Sequence, residues 1–143
     1  NRNFDTPSFV RMSDWKFGAN YSESREVYCG ESGNSEPETQ ALIALIRKQK
    51  IDFMFIFHNA AADVISGESP LSVELAKTYA QAARFRYIPK EEWKQMGFTG
   101  SLPEWCDVNK IPYLEMESST RWGSDWRRQK GAIEAVLRKR STV

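Results

Sequence analysis

Apolar positions along most of this chain fall into helix-spaced or strand-like runs. In NSEPETQALIALIRKQK, Leu42, Leu45 and Ile46 share one face and predict an amphipathic helix. Ser35 stands where the N-cap is expected, Pro37 falls in the first turn, and Glu36 and Glu38 suit the positive end of the helix dipole. IDFMFIF is apolar almost throughout, the pattern of a strand covered on both faces, and it ends at His58 before the small residues of NAAAD. A second helix is expected after Ser69-Pro70, carrying Leu71, Leu75, Ala76, Tyr79 and Ala83, with RFRYI as a short strand behind it. Residues 90–110 are mixed, with a turn at GFTGS and a brief helical piece at LPEWCDV. IPYLEME predicts a strand with Leu114 and Met116 on one face and Tyr113, Glu115 and Glu117 on the other. A last helix starts at Ser124-Asp125, buries Ile133, Val136 and Leu137, and ends in Arg138, Lys139 and Arg140.

The first 34 residues have little sustained period; Pro7, Gly18, Gly30 and Gly33 punctuate them, and they read as a long loop. Their aromatics Trp15, Phe17, Tyr21 and Tyr28 can stack on a ligand, but the simpler expectation is that they pin the loop to the domain. Helices alternating with covered strands imply an α/β layered domain. At 143 residues, 41% of them hydrophobic, the chain has the length and apolar content of one domain with a real core.

Charge then narrows the choice of partners. Twenty basic against nineteen acidic side chains give no global field for nucleic acid or an anionic membrane. The basic end of the last helix is read as a terminus matched to the helix dipole. No run approaches the roughly 18 apolar residues of a membrane span, and the first residues lack the pattern of a signal peptide. Cys29 and Cys106 are too few for a disulfide scaffold; one bridge and two free thiols both stay open. The compartment stays open with them, the cytoplasm slightly ahead of the periplasm or secretion.

Three places can carry chemistry. His58, the sole histidine, follows a buried strand directly, where open α/β sheets build their sites; a structural histidine fits the same position. Glu117, near a strand end, can act as a general base or stand as an exposed or salt-bridged acid. Arg2, between Asn1 and Asn3, offers a fork that binds a carboxylate bidentately, with amides to complete the hydrogen bonds; taken alone it is a polar terminus.

The order of these landmarks is more specific than any one of them. An Asn-Arg-Asn-aromatic start, SEPET opening a helix, a strand ending in Phe-His and a strand ending in Glu before the last helix together resemble the zinc carboxypeptidase family. GSLPEWC and GNSEPETQAL look most like the bacterial murein peptide amidases and γ-D-glutamyl-diamino-acid peptidases within it. The resemblance implies a three-layer α/β/α fold with a mostly parallel or mixed sheet. It maps Asn1 and Arg2 onto the substrate-carboxylate clamp, His58 onto a zinc ligand and Glu117 onto the general base. Glu115 stands where the family usually has threonine, and a second carboxylate beside the base is expected to raise its pKa.

The same resemblance implies one zinc ion and a peptide substrate with a free C-terminal carboxylate, cut at the bond between γ-D-glutamate and diaminopimelate. The family's other two zinc ligands come from a His-x-x-Glu motif, which this sequence lacks; Asp63 and Asp107 are acids that nothing in the sequence brings to His58. The expectation is therefore the later part of one catalytic domain, inactive in isolation and prone to self-association through an exposed sheet edge. A non-catalytic carboxylate-binding module and an ordinary protein carboxypeptidase remain the alternatives.

Overall fold

A computed structural model describes residues 2–17, 23–59, 61–95, 97–120 and 122–142. In chain order its elements are β1 (Met12–Phe17), β2 (Glu23–Tyr28), α1 (Pro37–Gln49), β3 (Met54–Asn59), β4 (Asp63–Ser66), α2 (Pro70–Ala83), β5 (Arg86–Ile88), α3 (Lys90–Lys94), α4 (Leu102–Val108), β6 (Tyr113–Ser118) and α5 (Trp126–Arg140). They fall into two units: residues 1–51 with 98–108, and residues 52–97 with 109–143.

The first unit holds more regular structure than its sequence signals. β1 and β2 pair antiparallel, from Met12 opposite Tyr28 to Phe17 opposite Glu23, where a loop was expected. β2 is exposed along nearly its whole length, so it carries no apolar alternation that could announce a strand. Tyr28 is itself exposed, its hydroxyl bonded to Glu31, and pins nothing; Tyr21 and the side chains of Trp15 and Phe17 lie outside the described residues. In α1 Pro37 opens the first turn as expected, but the N-cap is Glu36 rather than Ser35, whose hydroxyl is engaged elsewhere. The buried stripe is Thr39, Ile43 and Ile46, and Leu45 is exposed. The chain leaves the helix through Lys50 in the left-handed region, φ 51°.

The second unit is a four-stranded mixed sheet in the order β3-β6-β4-β5. β3 runs parallel to β6 and β4 parallel to β5, while β4 and β6 are antiparallel. The α2 helix begins as the sequence indicates: the Ser69 hydroxyl accepts from the Ser72 amide at 3.1 Å, and Pro70 needs no donor in the first turn. Leu75, Ala76, Tyr79 and Ala83 of α2 pack with Ala132 and Val136 of α5 on Val64, Leu114 and Met116 of the sheet. Each Leu, Val or Met side chain so withdrawn from water contributes roughly 1.5–3 kcal/mol.

This is the expected α/β arrangement, helices packing on a mixed sheet, with two local corrections. Phe57 is half exposed because β3 is an outer strand of this sheet, so the strand is not covered on both faces. On α5, Ala132 and Val136 are buried while Leu137 is half exposed. No helix among the described residues is long and apolar enough to cross a membrane. Cys29 and Cys106 are both buried, and no disulfide joins them.

Candidate active site

The period of two along β6 divides its side chains as expected. Leu114 and Met116 enter the helix-packed core, and Tyr113, Glu115 and Glu117 take the opposite face. The parallel register sets Met54 beside Tyr113, Ile56 beside Glu115 and His58 beside Glu117. His58 and Glu117 thus stand side by side, on one face, at the carboxyl ends of two parallel strands. That end opens onto a shallow depression lined by Phe57, His58, Asn59, Ser118 and Gln129. The sequence predicted both residues; the pairing appears only with the register.

The His58 side chain is half exposed, and partial burial pushes its pKa below the ordinary histidine value. The shift favours the neutral imidazole, the form that can coordinate a metal. Its Nε2 lies 4.0 Å from Oε1 of Glu115, too far for a hydrogen bond. Glu115 is only 3% exposed. Ile56 of β3 and Ile65 of β4 are its cross-strand neighbours. Burial there, with the Glu117 carboxylate adding to it, pushes the Glu115 pKa up to about 8. The expected interaction between the two carboxylates therefore appears on Glu115, the more enclosed of the pair.

Arg2 belongs to the other unit. Its guanidinium lies over the Phe98 ring, 5.2 Å from the centroid, and Nη1 donates to the Ser13 hydroxyl at 3.4 Å. Partial burial pushes its pKa below the ordinary arginine value. Asn1, expected beside it in a carboxylate clamp, lies outside the described residues.

Asn3 departs from the expectation that its amide completes a carboxylate site. Its Nδ2 reaches the Cys29 carbonyl at 2.6 Å, the Ser32 carbonyl at 3.0 Å and the Ser35 hydroxyl at 3.1 Å, while Oδ1 accepts from the Glu36 amide at 3.0 Å. The residue ties the segment bearing Arg2 to the entrance of α1. Gly30, at φ +104°, makes room, since a Cβ there would fall 2.2 Å from Asn3 Nδ2. On the other side the Phe4 amide donates to the Gly100 carbonyl at 2.9 Å, and the Phe4 ring lies 6.0 Å from that of Trp105. Glu104 accepts from the Thr6 hydroxyl at 2.7 Å and from the Ser8 amide and hydroxyl. Sequence reading missed these anchors, for which Gly30 and the Glu104-Trp105 pair were the available signals.

Residues 1–97 match the family model described as zinc carboxypeptidase.

The chain belongs to the zinc carboxypeptidase family.

Murein peptide amidase A of Escherichia coli K12 is 32% identical over 118 residues, which is 76% of this chain and 44% of that protein. The Vibrio campbellii protein of the same name is 25% identical over 119 residues, 82% of this chain and 46% of its own. This chain thus spans less than half the length of these curated relatives. Among solved structures, murein-tripeptide amidase from Escherichia coli O157 matches 97% of this chain and 56% of its own, with a TM-score of 0.73 at 22% identity. Thrombin-activatable fibrinolysis inhibitor matches 99% of this chain and 42% of its own, with a TM-score of 0.68 at 19% identity. At these identities the structural likeness speaks for the fold.

Zinc is the cofactor that membership in this family implies. A catalytic zinc needs three protein ligands and an open position. Among the described residues no group of three or more His, Cys, Asp and Glu side chains is placed to hold a metal. Asp63 is engaged by Arg86, whose Nε and Nη2 donate to its carboxylate at 2.9 and 3.1 Å. The described residues do not fit a complete zinc centre by themselves.

Proposed function

We propose that this chain is the later part of the catalytic domain of a zinc-dependent murein peptide amidase, which hydrolyses the bond between γ-D-glutamate and diaminopimelate in cell-wall peptides. The observation that carries this reading is the register pairing of His58 with Glu117 at the ends of β3 and β6. It puts an imidazole and a carboxylate next to each other at an open strand end, and the likeness to murein peptide amidase A supplies the substrate class.

In this reading His58 is one zinc ligand, with the others supplied from outside these 143 residues. The bound ion would polarise the scissile carbonyl and acidify a water. Glu117 takes the proton of the attacking water and passes it to the leaving amine. Arg2, with Asn1, pairs with the substrate's terminal carboxylate, so that position rather than covalent chemistry supplies much of the rate. Asn3, Gly30 and Gly100 hold the backbone from which Arg2 projects. The 143 residues alone are inactive in this account, and the outer edge of β3 favours their self-association.

The test is hydrolysis by the full-length protein of γ-D-glutamyl-diaminopimelate against an α-linked peptide ending in an ordinary residue. Preferential release of diaminopimelate supports the reading. Preference for the α-linked peptide makes the protein an ordinary carboxypeptidase, and carboxylate-dependent binding without turnover of either makes it a recognition module.

A further inference from the structure

The Arg2 guanidinium is held by neutral groups alone. Its Cζ lies over the Phe98 ring, 5.2 Å from the centroid, and Nη1 donates to the Ser13 hydroxyl at 3.4 Å. Ser13, itself buried, accepts a second bond from the Thr99 hydroxyl at 3.1 Å. Gly100 approaches from the main-chain side: its φ is +58°, and a Cβ there would fall 2.2 Å from the Arg2 carbonyl oxygen. Three consecutive residues, Phe98, Thr99 and Gly100, thus meet Arg2 at its charged end, at its hydrogen-bond acceptor and at its backbone, all within the first unit. Among the described residues no carboxylate pairs with Arg2, although partial burial disfavours its charge. A cation withdrawn from water without a counter-ion destabilises the fold, so an arginine kept only for structure would be better served by an acid at position 13.

We propose that Phe98, Ser13 and Thr99 are positioning residues for Arg2, holding its guanidinium uncompensated and fixed in direction for the carboxylate of a ligand. This role rests on the place of Arg2 in the murein-peptide reading and extends it to the groups that make this arginine a ready clamp. An aromatic ring attracts a cation without occupying any N–H, and a hydroxyl occupies a single one, so the fork keeps its charge and most of its donors for an anion. Arginine has a long stem whose rotamer freedom is lost when a ligand is gripped; a side chain already fixed by ring and hydroxyl has lost it on folding instead. Thr99, donating to Ser13, fixes the direction in which that hydroxyl accepts from Arg2. An aspartate at position 13 would grip the guanidinium more firmly, but its carboxylate would neutralise the charge and compete with that of the ligand.

Calorimetric titration of the full-length protein, with Glu117→Gln to stall turnover, against a γ-D-glutamyl-diaminopimelate peptide and its C-terminal amide tests this. The ratio of the two affinities reads carboxylate recognition and does not move when structure is lost in general. The acid should bind at least about tenfold more tightly than the amide. Phe98→Leu and Ser13→Ala should each reduce that ratio about threefold or more, while Phe98→Tyr and Ser13→Thr, which restore the ring and the hydroxyl, should return it. Ser13→Asp, which supplies a competing carboxylate, should reduce it furthest. Either position suffices should a variant at the other fail to fold. Equal affinity for acid and amide overturns the proposal together with the place of Arg2 in the clamp. A ratio unchanged by Phe98→Leu and Ser13→Ala, or a loss shared equally by acid and amide, overturns the positioning role alone. Selective binding that these variants weaken, without hydrolysis of the peptide by the protein carrying Glu117, refutes the proposed reaction and leaves the positioning role standing.

Discussion

The segment bearing Arg2 and the strand ends bearing His58 and Glu117 are built by different forces. The strand ends rest on a sheet whose other face is sealed by apolar packing, with Leu75, Ala76 and Val136 against Leu114 and Met116. The Arg2 segment hangs instead on directed bonds: the Asn3 amide to Cys29, Ser32, Ser35 and Glu36, the Phe4 amide to Gly100, and Glu104 to Thr6 and Ser8. Apolar packing tolerates small shifts and fails gradually, while a cluster of hydrogen bonds around one amide fails when a single atom is displaced. The two regions should therefore respond to different substitutions, and in different observables.

The largest effect belongs to the strand ends. Glu117→Gln in the full-length enzyme should lower kcat by about 10²–10⁴, the usual contribution of a positioned general base, with the thermal transition nearly unchanged. A loss below tenfold would remove Glu117 from the chemistry. Next, Leu75→Ala empties space under β6 and should cost about 2–5 kcal/mol in denaturant unfolding, without favouring KM over kcat in whatever activity remains.

Gly30→Ala strikes the other region. A Cβ at φ +104° and 2.2 Å from Asn3 Nδ2 strains the backbone and expels the amide, at about 1–3 kcal/mol. Through Arg2 it should raise KM more than it lowers kcat. An equal effect on both parameters would mean that the Arg2 segment does not act in substrate binding.

The smallest effect is a pH dependence just beyond Glu117. Asp125 accepts from the Ser119 hydroxyl and amide, and these bonds hold its pKa below the ordinary aspartate value. A depressed folded pKa means that the contribution to stability is present above the unfolded value and is lost as pH falls through the folded one. Melting curves of Asp125→Ala and the unaltered protein should differ slightly at pH 7 and converge toward pH 3. A gap that widens in acid would contradict the assignment.

How far the sequence could be read follows the same division. The α2 start at Ser69-Pro70 and the two faces of β6 were legible because apolar periodicity and capping chemistry act over a few residues. The β1–β2 pair was not, because β2, exposed along nearly its whole length, leaves no apolar alternation. His58 and Glu117 were legible one at a time from strand ends and family resemblance, while their adjacency depended on a register that no local pattern encodes. The enclosure of Glu115 between Ile56 and Ile65 depended on the same register, which is why the raised pKa was expected on its neighbour. Asn3 was read as a ligand group because its partners, Cys29 to Glu36, are distant in sequence.

The most direct test of the central claim is the zinc content of the full-length protein and of its His58→Ala variant, measured by elemental analysis after dialysis. The account predicts one zinc per catalytic unit in the unaltered protein and a large loss in the variant, with the fold retained by circular dichroism. An unaltered protein without zinc, or a folded variant that keeps its full complement, would contradict it.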